Sequence, residues 1–258
     1  DEVLGLVKEI DCRNGTSCPD QLASAIKAVT DGQLSPAASF LLVEDPIPKA
    51  RIGLIGELAG NPRILKNMAS AISEAGVAAV VCLGNLTGES TQNRQALKSI
   101  RKLKFLAIQG QNDWHYANGT ETPPFPPLDQ QERDWLIQLP QVLSFLVGGK
   151  KCMAFFGDFI QKLAEYSDYE PYALEMNMVC GLTDFMRDKT VFPALEVMTS
   201  QFHADVVLFS QTRKWGHWHV GGKDFISVGR AAGPASPSWG LLESVSGKIE
   251  FSRMRLGR

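Results

Sequence analysis

From residue 51 onward, short apolar runs alternate with stretches whose apolar positions recur every three or four residues. The first pattern is that of buried strands and the second that of amphipathic helices. The spacing predicts a strand over 52–55, a helix over 62–75, a strand over 77–83, a helix over 92–101 and a strand over 103–108. Pro62 suits the first turn of its helix, and Gly76 stands just past the last. Ala96, Leu97 and Ile100 share one side of the second helix. Such a strand–helix–strand–helix–strand run implies parallel pairing with right-handed crossovers.

The flanking sequence is more broken. Residues 1–48 read as an N-terminal extension, followed by one large domain over 49–258. Within the extension a helix is expected at 19–28 and a short strand at 41–43. Asp45-Pro46-Ile47-Pro48 should end that strand, because each proline restricts itself and the residue before it. Residues 115–128 read as a loop, since Thr122-Pro123-Pro124-Phe125-Pro126-Pro127 cannot form regular helix or sheet interior. A short helix is expected over 129–139. Strands over 143–147 and 152–156 flank Gly148-Gly149, a hairpin signal. Residues 159–202 read as mainly helical, then a strand over 205–209. An antiparallel finish follows, with strands over 216–220, 224–229, 239–244 and 249–254.

Composition narrows the function classes. Of 258 residues, 44% are hydrophobic and 21% charged, ordinary values for a globular domain. A net charge of -2 leaves no basic footprint for nucleic acid. No apolar stretch approaches the roughly 20 residues that span a bilayer. The chain starts at Asp1 rather than Met, and Cys12 and Cys18 flank a turn-rich loop that a disulfide could close. The compartment therefore stays open between cytoplasm and export. Cys82 and Cys152 lie in apolar runs and read as buried small hydrophobes. Asn14, Asn85 and Asn118 head glycosylation sequons, which matter only in a eukaryotic secreted protein.

Chemistry in an open α/β sheet gathers beyond the carboxyl ends of the strands. Four junctions lie there: Gly56-Glu57-Leu58-Ala59-Gly60-Asn61, Gly84-Asn85-Leu86-Thr87-Gly88, Gly110-Gln111-Asn112-Asp113 and Ser210-Gln211-Thr212-Arg213. Phe156-Gly157-Asp158 and Val228-Gly229-Arg230 occupy similar places. The first three junctions are regularly spaced, 28 residues from Gly56 to Gly84 and 26 from Gly84 to Gly110.

On these junctions the chain resembles the calcineurin-like metallophosphoesterases, especially their small bacterial phosphodiesterase branch, over about residues 51–256. That family reads Asp-x-His-Gly-Asn, Gly-Asp and Gly-Asn-His-Asp at the first three junctions, with a strand-end His-Gly and a Gly-His-x-His later on. The resemblance implies a four-layer αββα sandwich of two mixed sheets flanked by helices. It also implies a pair of metal ions, Mn or Zn, that activates water against phosphorus. Matched residue by residue, the ligand types are lost. Glu57 stands for the first Asp, Ala59 for the first His, and Asn85 for the bridging Asp. Gln111 and Asn112 stand for the ligand Asn and catalytic His, Phe156 for the strand-end His, and Gln211 and Arg213 for the paired His. The retained positions, among them Gly60, Asn61, Gly84, Gly110, Asp113 and Gly157, are scaffold.

Two divalent ions concentrate about four positive charges and require carboxylates and neutral imidazoles. Among the replaced positions only Glu57 is anionic, and Arg213 adds a cation. The expectation is therefore no metal and no catalytic residue: a pseudoenzyme that acts as a binding or scaffold module. Its partner would be another protein, met through the extension or the 122–127 loop. Glu57, Asn85, Asp113, Arg213 and Arg230 form the candidate ligand site, and the two arginines suit a small phosphorylated ligand. The alternatives are a residual Mn- or Zn-dependent hydrolase using Glu57, Asp113, His115, His217 or His219, and a phosphometabolite sensor. Gly216-His217-Trp218-His219 mimics the family's last motif but falls on a predicted strand, two residues apart on one face. Asp158 reads as a turn or cap residue.

Overall fold

The structure is a computed structural model that describes residues 42–118, 127–157, 173–231 and 237–256. Two mixed sheets form its frame. The first has six strands: β1 (Leu42–Lys49), β5 (Val142–Val147), β6 (Lys150–Phe156), β7 (Val206–Ser210), β9 (Lys223–Ser227) and β8 (Gly216–Val220), in that spatial order. The second has five: β11 (Lys248–Arg255), β10 (Ser238–Val245), β2 (Arg51–Gly56), β3 (Ala79–Leu83) and β4 (Leu106–Ile108). The strands β2, β3 and β4 are parallel, as the alternating pattern requires.

Three apolar layers show why the chain stacks this way. Successive strand residues face opposite sides, and β3 divides accordingly. Val81 and Leu83 enter the layer between the sheets, with Leu54, Phe145, Ala154 and Leu208. Val80 and Cys82 face the helices α1 (Pro62–Glu74) and α2 (Asn93–Leu103), meeting Leu65, Met68, Ile72 and Ile100. On the far side, Phe155, Val207 and Phe209 of β6 and β7 pack on helix α5 (Ala173–Gly181), a 3-10 helix over Leu182–Asp188, and helix α6 (Phe192–Met198). The result is the four-layer αββα sandwich expected from the resemblance.

Helix starts follow local chemistry. Asn61 caps α1 by accepting from the Ile64 amide at 3.1 Å, with Pro62 in the first turn. Helix α4 (Gln130–Ile137) opens on a reciprocal cap between Asp129 and Glu132. This satisfies two orphan amides at once.

Three expectations need correction. β1 does not stop at Asp45-Pro46-Ile47-Pro48 but continues to Lys49, pairing in parallel with β5. It is an edge strand, where proline is tolerated. Its register shifts between Asp45↔Phe145 and Lys49↔Val147, so the residues lacking an amide hydrogen sit in a bulge. Leu103 ends α2 rather than starting β4, and Lys104 closes the helix in the left-handed conformation. Residues 115–118 are not loop but the last turn of a helix, α3 (Gln111–Asn118). The helix expected at 19–28, Cys12, Cys18, Asn14, Asp158 and most of the 122–127 loop lie outside the described residues.

Candidate functional site

The two sheets meet at the carboxyl ends of their central strands. Gly56 forms a parallel bridge with Arg230, and the Ala231 amide donates to the Gly56 carbonyl at 3.2 Å. A Cβ on Gly56 would lie 2.4 Å from the Gly229 carbonyl oxygen, so only glycine permits this approach.

Around that junction the strand-end loops are laced together by backbone. The Ala59 amide donates to the Asn85 carbonyl at 2.9 Å, and Gly60 to Leu86 at 2.8 Å. Asn93, at the start of α2, accepts from the Gly88 amide and donates to the Gly88 carbonyl. The third loop is fixed by Asp113, whose side chain is fully buried. It accepts four hydrogen bonds, from the amides of Leu86 (3.1 Å), Thr87 (2.9 Å) and Gly110 (2.9 Å) and from the Thr87 hydroxyl (2.7 Å). Burial raises its carboxyl above the ordinary aspartate range, and those four donors pull it back. Both oxygens are thus occupied, and Asp113 holds loops rather than offering itself to a ligand.

Asn85 is similarly committed. Its Oδ1 accepts from the Asn112 amide at 2.9 Å, while the Asn112 side chain donates to the Thr87 carbonyl at 3.3 Å. The fourth loop is tied to the next strand: the Ser210 hydroxyl donates to the Val228 carbonyl, and the hydroxyls of Thr212 and Ser227 lie 2.6 Å apart. Gly157 packs against the Cys180 thiol and faces Gln211, and Phe156 is buried against Gly84.

Four residues at replaced ligand positions keep a left-handed backbone: Ala59 (φ 52°), Asn85 (φ 49°), Gln211 (φ 93°) and Arg213 (φ 59°). For non-glycine residues that conformation costs on the order of 1–3 kcal/mol and persists only where the surroundings enforce it.

Glu57 is the focus of the charge. Its side chain is 7% exposed, and Arg213 Nε lies 3.9 Å from its Oε2. Burial raises the Glu57 carboxyl, while Arg213, Arg230 and hydrogen bonding by the Asn85 side chain oppose the rise. The structure thus brings Glu57, Asn85, Arg213 and Arg230 into one electrostatic neighbourhood. The supporting residues Asn93 and Ser227 carry no sequence signal of their own; Asn93 reveals itself through its two bonds to the Gly88 backbone, and Thr87 through its hydroxyl bond to Asp113.

The two histidines take no part in it. His217 Nε2 and His219 Nδ1 both meet Asp224 Oδ1, at 2.9 and 3.2 Å, and the His217 ring stands edge-on to Phe251. Cys82, Cys152 and Cys180 are buried, the Cys180 thiol donating to the Ser210 carbonyl, and burial pushes the Cys82 thiol up to about 12. Asn85 is buried, which makes its sequon unsuited to a glycan.

The residues present do not fit the pair of metal ions that the fold family implies. The side chains of Ala59 and Phe156 have no donor atom, the Asn85 oxygen is already engaged, and a guanidinium lies beside Glu57, the one carboxylate at the replaced positions. Among the described residues no group of three or more His, Cys, Asp or Glu is placed to hold a metal ion. No helix among them is long and apolar enough to cross a membrane.

The same fold occurs in the metallophosphoesterase from Sphaerobacter thermophilus, 15% identical over 81% of this chain and 89% of that one, with a TM-score of 0.52. It also occurs in a hypothetical protein from Pyrococcus horikoshii OT3, 14% identical over 82% of this chain and 90% of that one, with a TM-score of 0.55. No protein-family model matches the chain. No curated protein matches it either. The chain has the metallophosphoesterase fold.

Proposed function

We propose that this chain is a metal-independent relative of the metallophosphoesterases that binds rather than hydrolyses, and that its main partner is another protein. The observation that carries the reading is the 3.9 Å approach of Arg213 to Glu57. A metal centre needs net negative charge from its ligands, yet here a cation stands beside Glu57, the one acid at the replaced positions. At about 4 Å a guanidinium opposes a divalent ion by some 8 kcal/mol at an effective dielectric of about 20, before solvent screening lowers it. Without a bound ion there is no Lewis acid and no lowered water pKa.

Elemental analysis of the purified chain, paired with turnover of bis(p-nitrophenyl) phosphate in added Mn²⁺, tests the reading. Substoichiometric metal and no turnover above buffer are expected. Two tightly held Mn or Zn ions per chain would reject it, as would Mn-dependent hydrolysis that disappears in Glu57→Ala.

A further inference from the structure

Two buried polar atoms at the strand ends have no hydrogen-bond partner among the described residues, and they are complementary. Glu57 Oε1 is an acceptor that receives nothing, and Arg230 Nε is a donor that gives nothing. Each such orphan has given up its water without a partner in return. They belong to one place: Arg230 bridges Gly56, the residue before Glu57, and its charge acts on the Glu57 carboxyl. Arg213 supplies a third group, with a side chain 72% exposed and a guanidinium beside the other Glu57 oxygen. Among the described residues, one carboxylate and two guanidiniums leave this site one positive charge in excess.

A matching ligand must offer a donor to Glu57 Oε1, oxygens to Arg230 Nε and Arg213, and a single negative charge. We infer that the site formed by Glu57, Arg213 and Arg230 binds a carboxylate carrying a hydrogen-bond donor on the adjacent carbon. That is the chemistry of an N-acylated amino acid, a hydroxy acid or the C-terminal residue of a polypeptide. The side-on edge of a guanidinium, Nε with one terminal nitrogen, matches the two oxygens of a carboxylate. A phosphate monoester brings about -1.5 to -2 charges near neutral pH, more than the excess of these described residues, and sets them beside Glu57. The inference rests on the metal-independent reading.

Calorimetric titration of the full chain tests it with N-acetylglycine, its uncharged amide, glycolate, an acetylated glycine tetrapeptide with a free C-terminus, and dimethyl phosphate. N-acetylglycine should bind and its amide should not. A tetrapeptide tighter than N-acetylglycine identifies a polypeptide C-terminus as the source, and the reverse order identifies a free small acid. Arg213→Ala, an exposed position that leaves the fold intact, should weaken binding about tenfold or more. Arg230→Lys, which removes Nε, should do the same, whereas the surface change Arg94→Ala should not. The inference is overturned if no carboxylate binds at about 10 mM, if the amide binds equally, if dimethyl phosphate binds more tightly, or if neither arginine variant changes affinity. Metal analysis of the same sample keeps the failures apart. Metal-free protein that ignores carboxylates rejects this inference alone, and two bound metals reject the reading beneath it.

Discussion

Arg213 reaches from solvent to within 3.9 Å of Glu57 Oε2, although its own side chain is 72% exposed and that of Glu57 only 7%. The pair is asymmetric. Glu57 has lost its water and depends on its neighbours, whereas Arg213 keeps most of its hydration and gives up little if it moves. The spacing exceeds a hydrogen bond, so the attraction is Coulombic and leaves Oε1 without a donor.

The first consequence concerns pH. Burial sets the Glu57 carboxyl above the ordinary glutamate value. Between the unfolded and the folded pKa, the folded chain therefore holds a proton that the unfolded chain has released. This contribution to stability is complete below the unfolded pKa and is lost as pH rises through the folded one. Glu57→Gln should flatten that part of the stability profile and gain most at neutral pH. Urea melts at about pH 4 and about pH 7 measure it, given an unperturbed glutamate pKa near 4.3. Equal pH slopes for the variant and the parent would refute the assignment.

Asp113 makes the opposite case, a buried acid with every lone pair engaged. Asp113→Asn turns an amino group toward backbone donors that need an acceptor. It should cost about 3 kcal/mol in chemical denaturation, and Thr87→Val, which removes one donor, about 1 kcal/mol. A near-neutral Asp113→Asn would mean that these loops are held by something else.

Periodicity made the scaffold legible where one face of an element is buried. Leu65, Met68 and Ile72 mark α1 at helical spacing, and Val80 to Leu83 form an uninterrupted apolar strand because both faces of β3 are covered. It misled where tertiary position overrides local preference. Pro46 and Pro48 argue against a strand, yet an edge with a bulge accommodates them. Helix α3 shows no apolar stripe, and its first turn depends on Asp113 bonding the Gly110 amide. At the site, residue types showed which positions depart from the family's ligand pattern. They could not disclose that Asp113 and Asn85 spend their oxygens on backbone amides, because those partners carry no side-chain signature. They did group Arg230 with Glu57, but could not disclose the backbone bridge between Gly56 and Arg230 through which the two sheets bring them together.

Backbone strain gives a prediction with two signs. Ala59 holds φ 52°, so Ala59→Gly should relieve the strain and stabilise the fold by about 0.5–1 kcal/mol, after allowing for the added freedom of the unfolded chain. Gly84→Ala places a Cβ 2.7 Å from Phe156 Cδ2 and 2.9 Å from Gly110 Cα, at φ +73°. It should cost several kcal/mol, on the order of an overpacked core site or more. Thermal melts that rank the two variants the other way would show that the loop geometry is not retained in solution.

The Glu57–Arg213 pair can be separated from its surroundings by a double-mutant cycle. Arg213→Ala removes a largely exposed side chain, so its cost at neutral pH should stay at or below about 1 kcal/mol. That cost should vanish in the Glu57→Gln background, because a neutral amide has no charge to pair. Losing Arg213 also removes one of the two cations that hold the Glu57 carboxyl down. Its pKa should then rise further, and the upper end of the pH window over which stability declines should extend upward. Added salt should shrink the coupling measured in the cycle, since the outer partner lies in solvent. If Arg213→Ala costs the same in the Glu57→Gln background as in the parent chain, at every salt concentration, the contact is packing rather than charge, and the electrostatic case against a metal at this site loses its support.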